Sequence, residues 1–343
     1  MHNQPLTTTS SPPTSVEASV IQTIDAISDA EQRLDQIATR TAGQSQRDAA
    51  KSVESILSRV RGDGDQALME LTQQFDGFVP DPLQVPSEEL QRAWDTTPPD
   101  LRDALELAHR RIQDFHQRQR PLDLEVKGVH GERLGRRWRP VQAAGLYVPG
   151  GRASYPSTVL MNAVPARAAG VERLVMVTPA GSDGTVNRTV LAAAHLAGVR
   201  EVYRIGGAQA IAALAFGTET IPKVDVISGP GNLYVTLAKK FVYGQVGIDS
   251  LAGPSEVLVI ADASANVKQV AADLLAQAEH DPLAAAILLT TSSALAEALP
   301  AELEQQLQKN PREAICRQSL QQWGLVVVCD NLETCASLSD RFA

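Results

Sequence analysis

Cysteine is scarce in this chain of 343 residues, and its distribution excludes several kinds of site. The three cysteines are Cys316, Cys329 and Cys335, which come late in the chain and show no C-x-x-C spacing. We therefore expect no disulfides and a reducing compartment, which we take to be the cytoplasm. Cys329 ends an apolar run (GLVVVCD), a pattern typical of a small buried side chain rather than a reactive thiol.

Long apolar runs and clusters of basic residues are also missing. No run approaches the roughly 18 apolar residues that a membrane span requires. The net charge is −9 and no basic stripe is present. The sequence therefore predicts neither a membrane nor a nucleic acid as a partner. The first 18 residues lack an early positive charge and an apolar core, which excludes a secretory signal. Their Ser/Thr/Pro-rich composition predicts a disordered tail over residues 1–18, with an organelle transit peptide as the alternative.

The chain does contain the apolar content of an ordinary globular protein, 43% against 21% charged residues. Its length exceeds what one compact core usually holds, so we expect two domains. Residues 19–120 show helical patterns, and from about residue 121 the chain turns extended and glycine-rich. Apolar strands then alternate with helices, and the expected strands are 173–178, 201–205, 224–228, 256–262, 284–291 and 324–330. This alternation predicts an α/β fold whose parallel sheets are covered by helices on both faces.

Three glycine-rich turns connect expected strands to helices: residues 145–151, Gly206-Gly207 and Gly229-Pro-Gly231. In open α/β sheets, ligands bind where strands end and helices begin, and glycine lets the backbone approach a phosphate. The sequence GPGNLY matches part of the dinucleotide fingerprint but has Tyr234 where that fingerprint requires a small residue. Asp249 lies at a suitable distance downstream for a ribose contact. From the pattern alone, nucleotide binding and a purely structural turn both remain open.

Residues 251–282 combine several polar side chains with one strand-helix unit. A glycine-proline turn presents Ser255, a strand follows, and an amphipathic helix then ends in Gln277 and His280. Three-residue spacing makes Gln277 and His280 neighbours on a helix, and metal ligands use such spacing. Glutamine is an unusual zinc ligand, however. Spacing alone therefore favours a helix C-terminus with a solvated glutamine and a histidine that complements the helix dipole.

Four segments, taken together and in order, resemble the histidinol dehydrogenase family. They are residues 145–171 (GLYVPGGRASYPSTVLMNAVPARAAGV), 205–218 (IGGAQAIAALAFGT), 228–240 (SGPGNLYVTLAKK) and the AGPSE and LLAQAEH motifs of 251–282. The resemblance extends from about residue 20 to the end. It implies two incomplete Rossmann-like domains, one inserted in the other. The first would then comprise residues 19–145 and 251–343, and the inserted one residues 146–250.

The resemblance also implies ligand-binding roles. NAD would contact Tyr147, Gln209 and Asn232; their ordinary structural roles would be a core aromatic and helix starts. The substrate would contact Ser255, Gln277 and His280. Zinc, one ion per subunit in the complete enzyme, would be held by Gln277 and His280 together with an Asp and a second His. The implied reaction is the oxidation of L-histidinol to L-histidine through the aldehyde by two hydride transfers to NAD, the last step of histidine biosynthesis. The family forms homodimers.

The chain departs from the family pattern after its last helix, LETCASLSDRFA. The family's Glu-His pair for proton chemistry, and its remaining zinc ligands, would lie beyond Ala343, so we assign no catalytic residue here. On this basis we expect a C-terminally truncated fragment that is inactive by itself.

Two alternatives stay open. One is a related zinc- and NAD-dependent dehydrogenase for another small alcohol, such as a sulfonated propanediol. The other is a non-catalytic truncated paralogue. A cysteine-dependent aldehyde dehydrogenase is not expected, because no cysteine lies in a glycine-rich loop.

Overall fold

The computed structural model describes residues 19–40, 44–150, 155–251 and 256–342. The tail expected over residues 1–18 lies outside these ranges. The strands of the described residues, in chain order, are β1 (Gln22–Ile24), β2 (Leu124–Lys127), β3 (Arg133–Arg136), β4 (Ala143–Tyr147), β5 (Arg173–Val177), β6 (Glu201–Tyr203), β7 (Val226–Ser228), β8 (Gly247–Ile248), β9 (Glu256–Ala261), β10 (Ala285–Thr290) and β11 (Gly324–Val328).

The helices of the described residues are α1 (Ile27–Ala38), α2 (Gln44–Asp76), α3 (Ser87–Asp95), α4 (Pro99–Arg118), α5 (Pro156–Ala169), α6 (Arg188–Leu196), α7 (Gly207–Phe216), α8 (Leu233–Val242), α9 (Val267–Ala278), α10 (Ser293–Leu307), α11 (Glu313–Trp323) and α12 (Leu332–Phe342). Helix α2 is interrupted by non-helical backbone at Gly64, within the Gly-Asp-Gly sequence. No described helix is long and apolar enough to cross a membrane.

The larger of two compact units comprises the described residues between 44 and 251. Its main sheet has the strand order β6-β5-β4-β7-β8, and all neighbouring strands are parallel. Numbered by their appearance in the sheet, the strands follow the order 3-2-1-4-5 that is characteristic of Rossmann-type folds. The direction of winding reverses between β4 and β7, so the carboxyl ends of these two strands form the switch point.

Helices cover both faces of this sheet. Apolar residues of α2, α7 and α8 form the core on one face, and those of α3 to α6 form the core on the other. Strand β4 accordingly has no exposed residue, since it lies at the centre of the sheet and is buried on both sides. This covering explains the near-continuous apolar runs of the sequence.

The smaller unit comprises residues 19–40 and 256–342. Its four parallel strands have the order β1-β11-β10-β9. Side chains of β10 alternate between two cores: Ala286 and Leu288 pack with α9, α10 and α11, whereas Ile287 and Leu289 pack with α1 and α12. The unit is therefore also a sheet with helices on both faces.

A two-stranded antiparallel hairpin, β2 and β3, lies in the larger unit outside both parallel sheets. Every residue of both strands is exposed. Among them are Leu124, Val126 and Leu134, and nearby Val129 is 93% exposed. An isolated two-stranded hairpin is only marginally stable in water and is usually stabilised by packing against other structure. Apolar residues left exposed on such a hairpin are therefore unusual.

The α/β fold class with parallel sheets and all six expected strands are confirmed, with ends that differ by one or two residues. The division of the chain differs from the expected one, because residues 44–145 belong to the larger unit with 146–251. The physical reason is that α2 and the α3–α4 pair supply the apolar faces that cover the five-stranded sheet. The helical interpretation of residues 19–120 was also wrong at β1, which pairs with β11.

Candidate functional sites

The candidate cofactor residues surround the switch point of the larger unit. Tyr147 is the last residue of β4, and Gly229 follows the last residue of β7. Gln209 is the third residue of α7, and Asn232 is the N-cap of α8. Ligands of open α/β sheets bind in this position, where helix N-termini favour negatively charged groups such as phosphates.

The Tyr147 side chain is buried against the start of α7. Its hydroxyl oxygen accepts a hydrogen bond of 3.1 Å from the Gly207 N–H. Burial raises the pKa of Tyr147 to about 12; the Gly207 N–H lowers it and the Asp76 charge raises it. The phenol is therefore neutral at physiological pH and keeps its proton for donation.

Gln209 and Asn232 occupy the starts of neighbouring helices. Gln209 is buried, and its amide folds back against Gly207, whose φ of +65° places it in the left-handed region. Asn232 is exposed, and its Oδ1 accepts a 3.1 Å hydrogen bond from the Val235 N–H. Asn232 therefore caps α8, as expected for an asparagine at this position. The cap uses only the amide oxygen, so the amide nitrogen remains available as a donor.

The turn after β7 is held by an ion pair between a buried lysine and a partly exposed aspartate, which the sequence did not reveal. Lys239 is almost completely buried, and its Nζ donates to an oxygen of Asp249 and to the Gly229 carbonyl, the latter at 3.1 Å. Asp249 in turn accepts the Gly229 N–H at 2.8 Å and the Ser250 N–H at 2.7 Å. Asp249, considered above for a ribose contact, therefore acts on the backbone of the turn.

The pKa of Asp249 reflects this competition. Burial alone would raise it, but the Gly229 N–H, Lys239 and the Ser250 N–H together lower it. The carboxylate therefore stays ionised near neutrality and keeps Lys239 paired. The ion pair thereby fixes the main chain of this turn.

Asp76, at the C-terminus of α2, is a further residue that the sequence patterns did not single out. Its Oδ2 is buried without a hydrogen-bond partner, and burial raises the pKa of this carboxyl group. Its charge acts on Tyr147. No local sequence pattern marks Asp76, because its interaction with Tyr147 of β4 forms only in the folded chain.

The candidate substrate and metal residues belong to the smaller unit. Helix α9 is capped by Asn266, whose side chain accepts the Lys268 N–H at 2.9 Å, and it ends at Ala278. His280 lies in the turn beyond this end, so it is not on the helix as expected; its N–H donates to the Gln277 carbonyl at 3.2 Å. The third candidate, Ser255, lies outside the described residues.

The Gln277 amide is partly buried, and its Nε2 has no hydrogen-bond partner. The nitrogen and the oxygen of a side-chain amide are told apart only by assignment. Either atom of Gln277 can therefore occupy the unsatisfied position, and the amide remains available to a ligand. His280 is exposed two residues after the helix. These two side chains are the ones that the resemblance assigns to zinc. Within the described ranges, no three His, Cys, Asp or Glu side chains come together as a metal site.

The three cysteines take no part in either site. All are buried free thiols, and burial raises the pKa of Cys329 to about 12 and that of Cys316 to about 11. The expectation of a small buried Cys329 is confirmed.

The fold and the position of these residues define a Rossmann-like α/β protein with candidate ligand-binding residues at the switch point. The family model of histidinol dehydrogenase matches residues 39–343. The chain therefore belongs to the histidinol dehydrogenase family, whose members are oxidoreductases of the dehydrogenase class.

Individual relatives agree with this assignment. The chain is 73% identical over 314 residues to the histidinol dehydrogenase of Prochlorococcus marinus strain MIT 9313, covering 92% of this chain and 71% of the relative. It is 68% identical over 314 residues to that of Parasynechococcus marenigrum strain WH8102, with 92% and 72% covered. The crystal structure of histidinol dehydrogenase from Elizabethkingia anophelis matches with a TM-score of 0.87 and 37% identity, covering 95% of this chain and 75% of that one.

Proposed function

We propose that the protein catalyses the NAD-dependent oxidation of L-histidinol to L-histidine through the aldehyde. The observation that carries the proposal is the grouping of Tyr147, Gln209 and Asn232 around one switch point in a chain of this family. Each oxidation step transfers a hydride to NAD. Water adds to the aldehyde between the two steps, so the second hydride leaves a carboxylate.

In this proposal the larger unit binds and orients NAD. Asn232 and Gln209 offer amide donors at the starts of α8 and α7, where the helix dipoles favour the cofactor's phosphates. The neutral Tyr147 hydroxyl donates a hydrogen bond while its oxygen stays fixed by the Gly207 N–H. The cofactor carries the redox chemistry, and the protein positions it.

Gln277 and His280 of the smaller unit would hold zinc together with the further Asp and His ligands that the resemblance implies. When bound, zinc supplies a positively charged template that orients the substrate's imidazole and amine. Ser255 would contact the substrate beside them. The resemblance also implies a histidine as general base and a glutamate partner.

The proposal predicts that the protein binds NAD and reduces it in the presence of histidinol. NAD binding is measured by titration calorimetry, and turnover by NADH absorbance with histidinol and zinc. A sulfonated propanediol replaces histidinol in a parallel assay, which tests the alternative substrate. NADH formation with the sulfonated propanediol but not with histidinol would contradict the proposed substrate, and absence of NAD binding would contradict the cofactor site.

A matched pair of cap variants tests the cofactor site. Asn232→Ala removes a helix cap and an NAD contact, whereas Asn266→Ala removes only the cap of α9. Each is expected to cost about 1 kcal/mol of stability, since that is the usual contribution of an asparagine cap. Only Asn232→Ala should weaken NAD binding as well. Equal NAD affinity in both variants would argue against the assignment.

We further propose that the protein is a cytoplasmic homodimer. The three free thiols favour a reducing compartment. The exposed apolar residues of the β2–β3 hairpin offer a surface that a second copy could cover.

A further inference from the structure

Arg40, two residues after α1 in the smaller unit, has a side chain that is only 1% exposed. Its Nε donates to the Leu283 carbonyl at 2.7 Å. Its Nη1 donates to the Ile37 carbonyl at 2.7 Å and to Glu256 Oε1 at 2.5 Å. Its Nη2 is buried and has no hydrogen-bond partner.

Such an arrangement is costly if its purpose is stability alone. Burying an arginine removes a charge from water, and replacing a buried ion pair by apolar side chains is often neutral or stabilising. The unsatisfied Nη2 adds to this cost, because a buried donor without a partner has lost its hydrogen bonds to water. The guanidinium therefore lies where it binds Glu256 and Leu283, and this position leaves its Nη2 without a partner.

The two segments that Arg40 joins are those that carry the candidate substrate residues. Glu256 is the first residue of β9, directly after Ser255 in the sequence. Leu283 follows His280 by three residues and precedes β10. Glu256 pairs in register with Ala285, so both segments enter the sheet side by side at its amino edge. One planar side chain therefore connects the starts of both strands.

We propose that Arg40 is a positioning residue for the substrate half-site, which it fixes by tying the start of β9 to the turn that follows His280. The proposal deepens and rests on the proposed function. A lysine cannot replace it, because a single ammonium lacks the planar fork that reaches the carboxylate and the carbonyl together. The site it orders belongs wholly to the smaller unit, whereas the candidate NAD residues belong to the larger one.

The test compares Arg40→Met and Arg40→Lys with the control Arg33→Met. Arg33 lies on α1 in the same unit and also donates to a backbone carbonyl, that of Gln322 in α11, which is in neither of the two segments. Amide hydrogen exchange is measured first. In both Arg40 variants, exchange should rise roughly tenfold in peptides covering 256–261 and 281–286 and stay unchanged in 233–242, since only the first two lose their connection. The control should leave all three unchanged.

Steady-state kinetics of the wild-type and variant proteins with histidinol and NAD give the second readout. The KM for histidinol should rise roughly ten- to a hundredfold in Arg40→Met, since small displacements of a substrate site have effects of this size. The KM for NAD should stay within about twofold, because the substitution leaves the residues that bind NAD unchanged. Glu256→Gln should reproduce the direction of the effect with a smaller amplitude.

The outcomes separate two failures. Unchanged exchange in 256–261 and 281–286 for Arg40→Met would overturn the positioning role, as would an equal rise of both KM values. If wild-type protein does not use histidinol, the proposed function fails, and the exchange data alone decide whether Arg40 orders the two segments.

Discussion

At the scale of single residues, a buried lysine and a partly exposed aspartate hold the main chain of the candidate cofactor turn. Lys239 and Asp249 are paired, and each also binds the backbone of Gly229, one through its carbonyl and the other through its N–H. Because the pair binds both the N–H and the carbonyl of one residue, its loss affects stability and geometry together.

We expect Asp249→Asn to lower the free energy of unfolding by about 2–3 kcal/mol, less than for a fully buried pair because the carboxylate is partly exposed. Chemical denaturation at neutral pH measures this. The lowered pKa of Asp249 means that its contribution is present above the unfolded pKa and is lost as pH falls through the folded value. The difference between variant and wild type should therefore shrink in acid. Glu70→Gln, which breaks the exposed pair with Arg59, serves as the control and should change little.

Asp76 should respond to pH in the opposite sense. Burial raises the pKa of its carboxyl group, so its charged form opposes folding, and this cost develops as pH rises through the folded pKa. Asp76→Asn should therefore raise the melting temperature at neutral pH and have no such effect below the unfolded pKa. Thermal scans across this range provide the measurement. A variant that is less stable at neutral pH would indicate that Asp76 has a favourable partner.

At the scale of secondary-structure elements, the close approach of β4 and the β7–α8 turn requires glycine. Gly229 has a φ of +127°, and a Cβ there would lie 2.1 Å from the Tyr147 carbonyl oxygen. Gly244 also has a positive φ, +95°, but a Cβ would meet nothing within 4 Å. The two positions therefore separate backbone strain from steric conflict.

We expect Gly244→Ala to cost about 1–2 kcal/mol, the usual penalty for a left-handed conformation. Gly229→Ala should cost more, because the strand and the turn must also move apart, and it should abolish measurable NAD binding. Denaturation and NAD titration of the two variants provide the comparison. If Gly229→Ala retained NAD binding, the turn would not be part of the cofactor site.

The sequence predicted the elements of this fold better than their grouping. Buried parallel strands such as β10 and β11 form apolar runs that are recognisable alone, whereas β1 has three residues and depends on its pairing with β11. Tyr147, Gln209 and Asn232 were identified through motifs. Asp76 and Arg40 were not, because their contacts join segments that are distant in sequence, and no local spacing records such contacts.

At the scale of the whole molecule, the exposed hairpin is the surface on which the homodimer proposal rests. Val126 and Leu134 are paired across its two strands, and both are more than half exposed. Leu134→Glu should therefore weaken self-association, since a charge replaces apolar surface at an interface. Sedimentation velocity over a range of concentrations measures the effect, with Val79→Glu, at an exposed apolar position outside the hairpin, as the control. Identical sedimentation of wild type and both variants would exclude the hairpin as the interface.

The smaller unit is assembled from the two ends of the described chain. Strand β1 pairs with β11, and these strands come from opposite sides of the larger unit in the sequence. During synthesis, residues 44–251 have left the ribosome before β9 to β11 exist, and domains generally fold as units. We expect chains arrested within α10 to protect the larger unit, but not residues 19–40, from limited proteolysis. Residues 19–40 would then remain unfolded while the larger unit forms its complete sheet. A chaperone that binds this short segment would therefore control when the smaller unit folds.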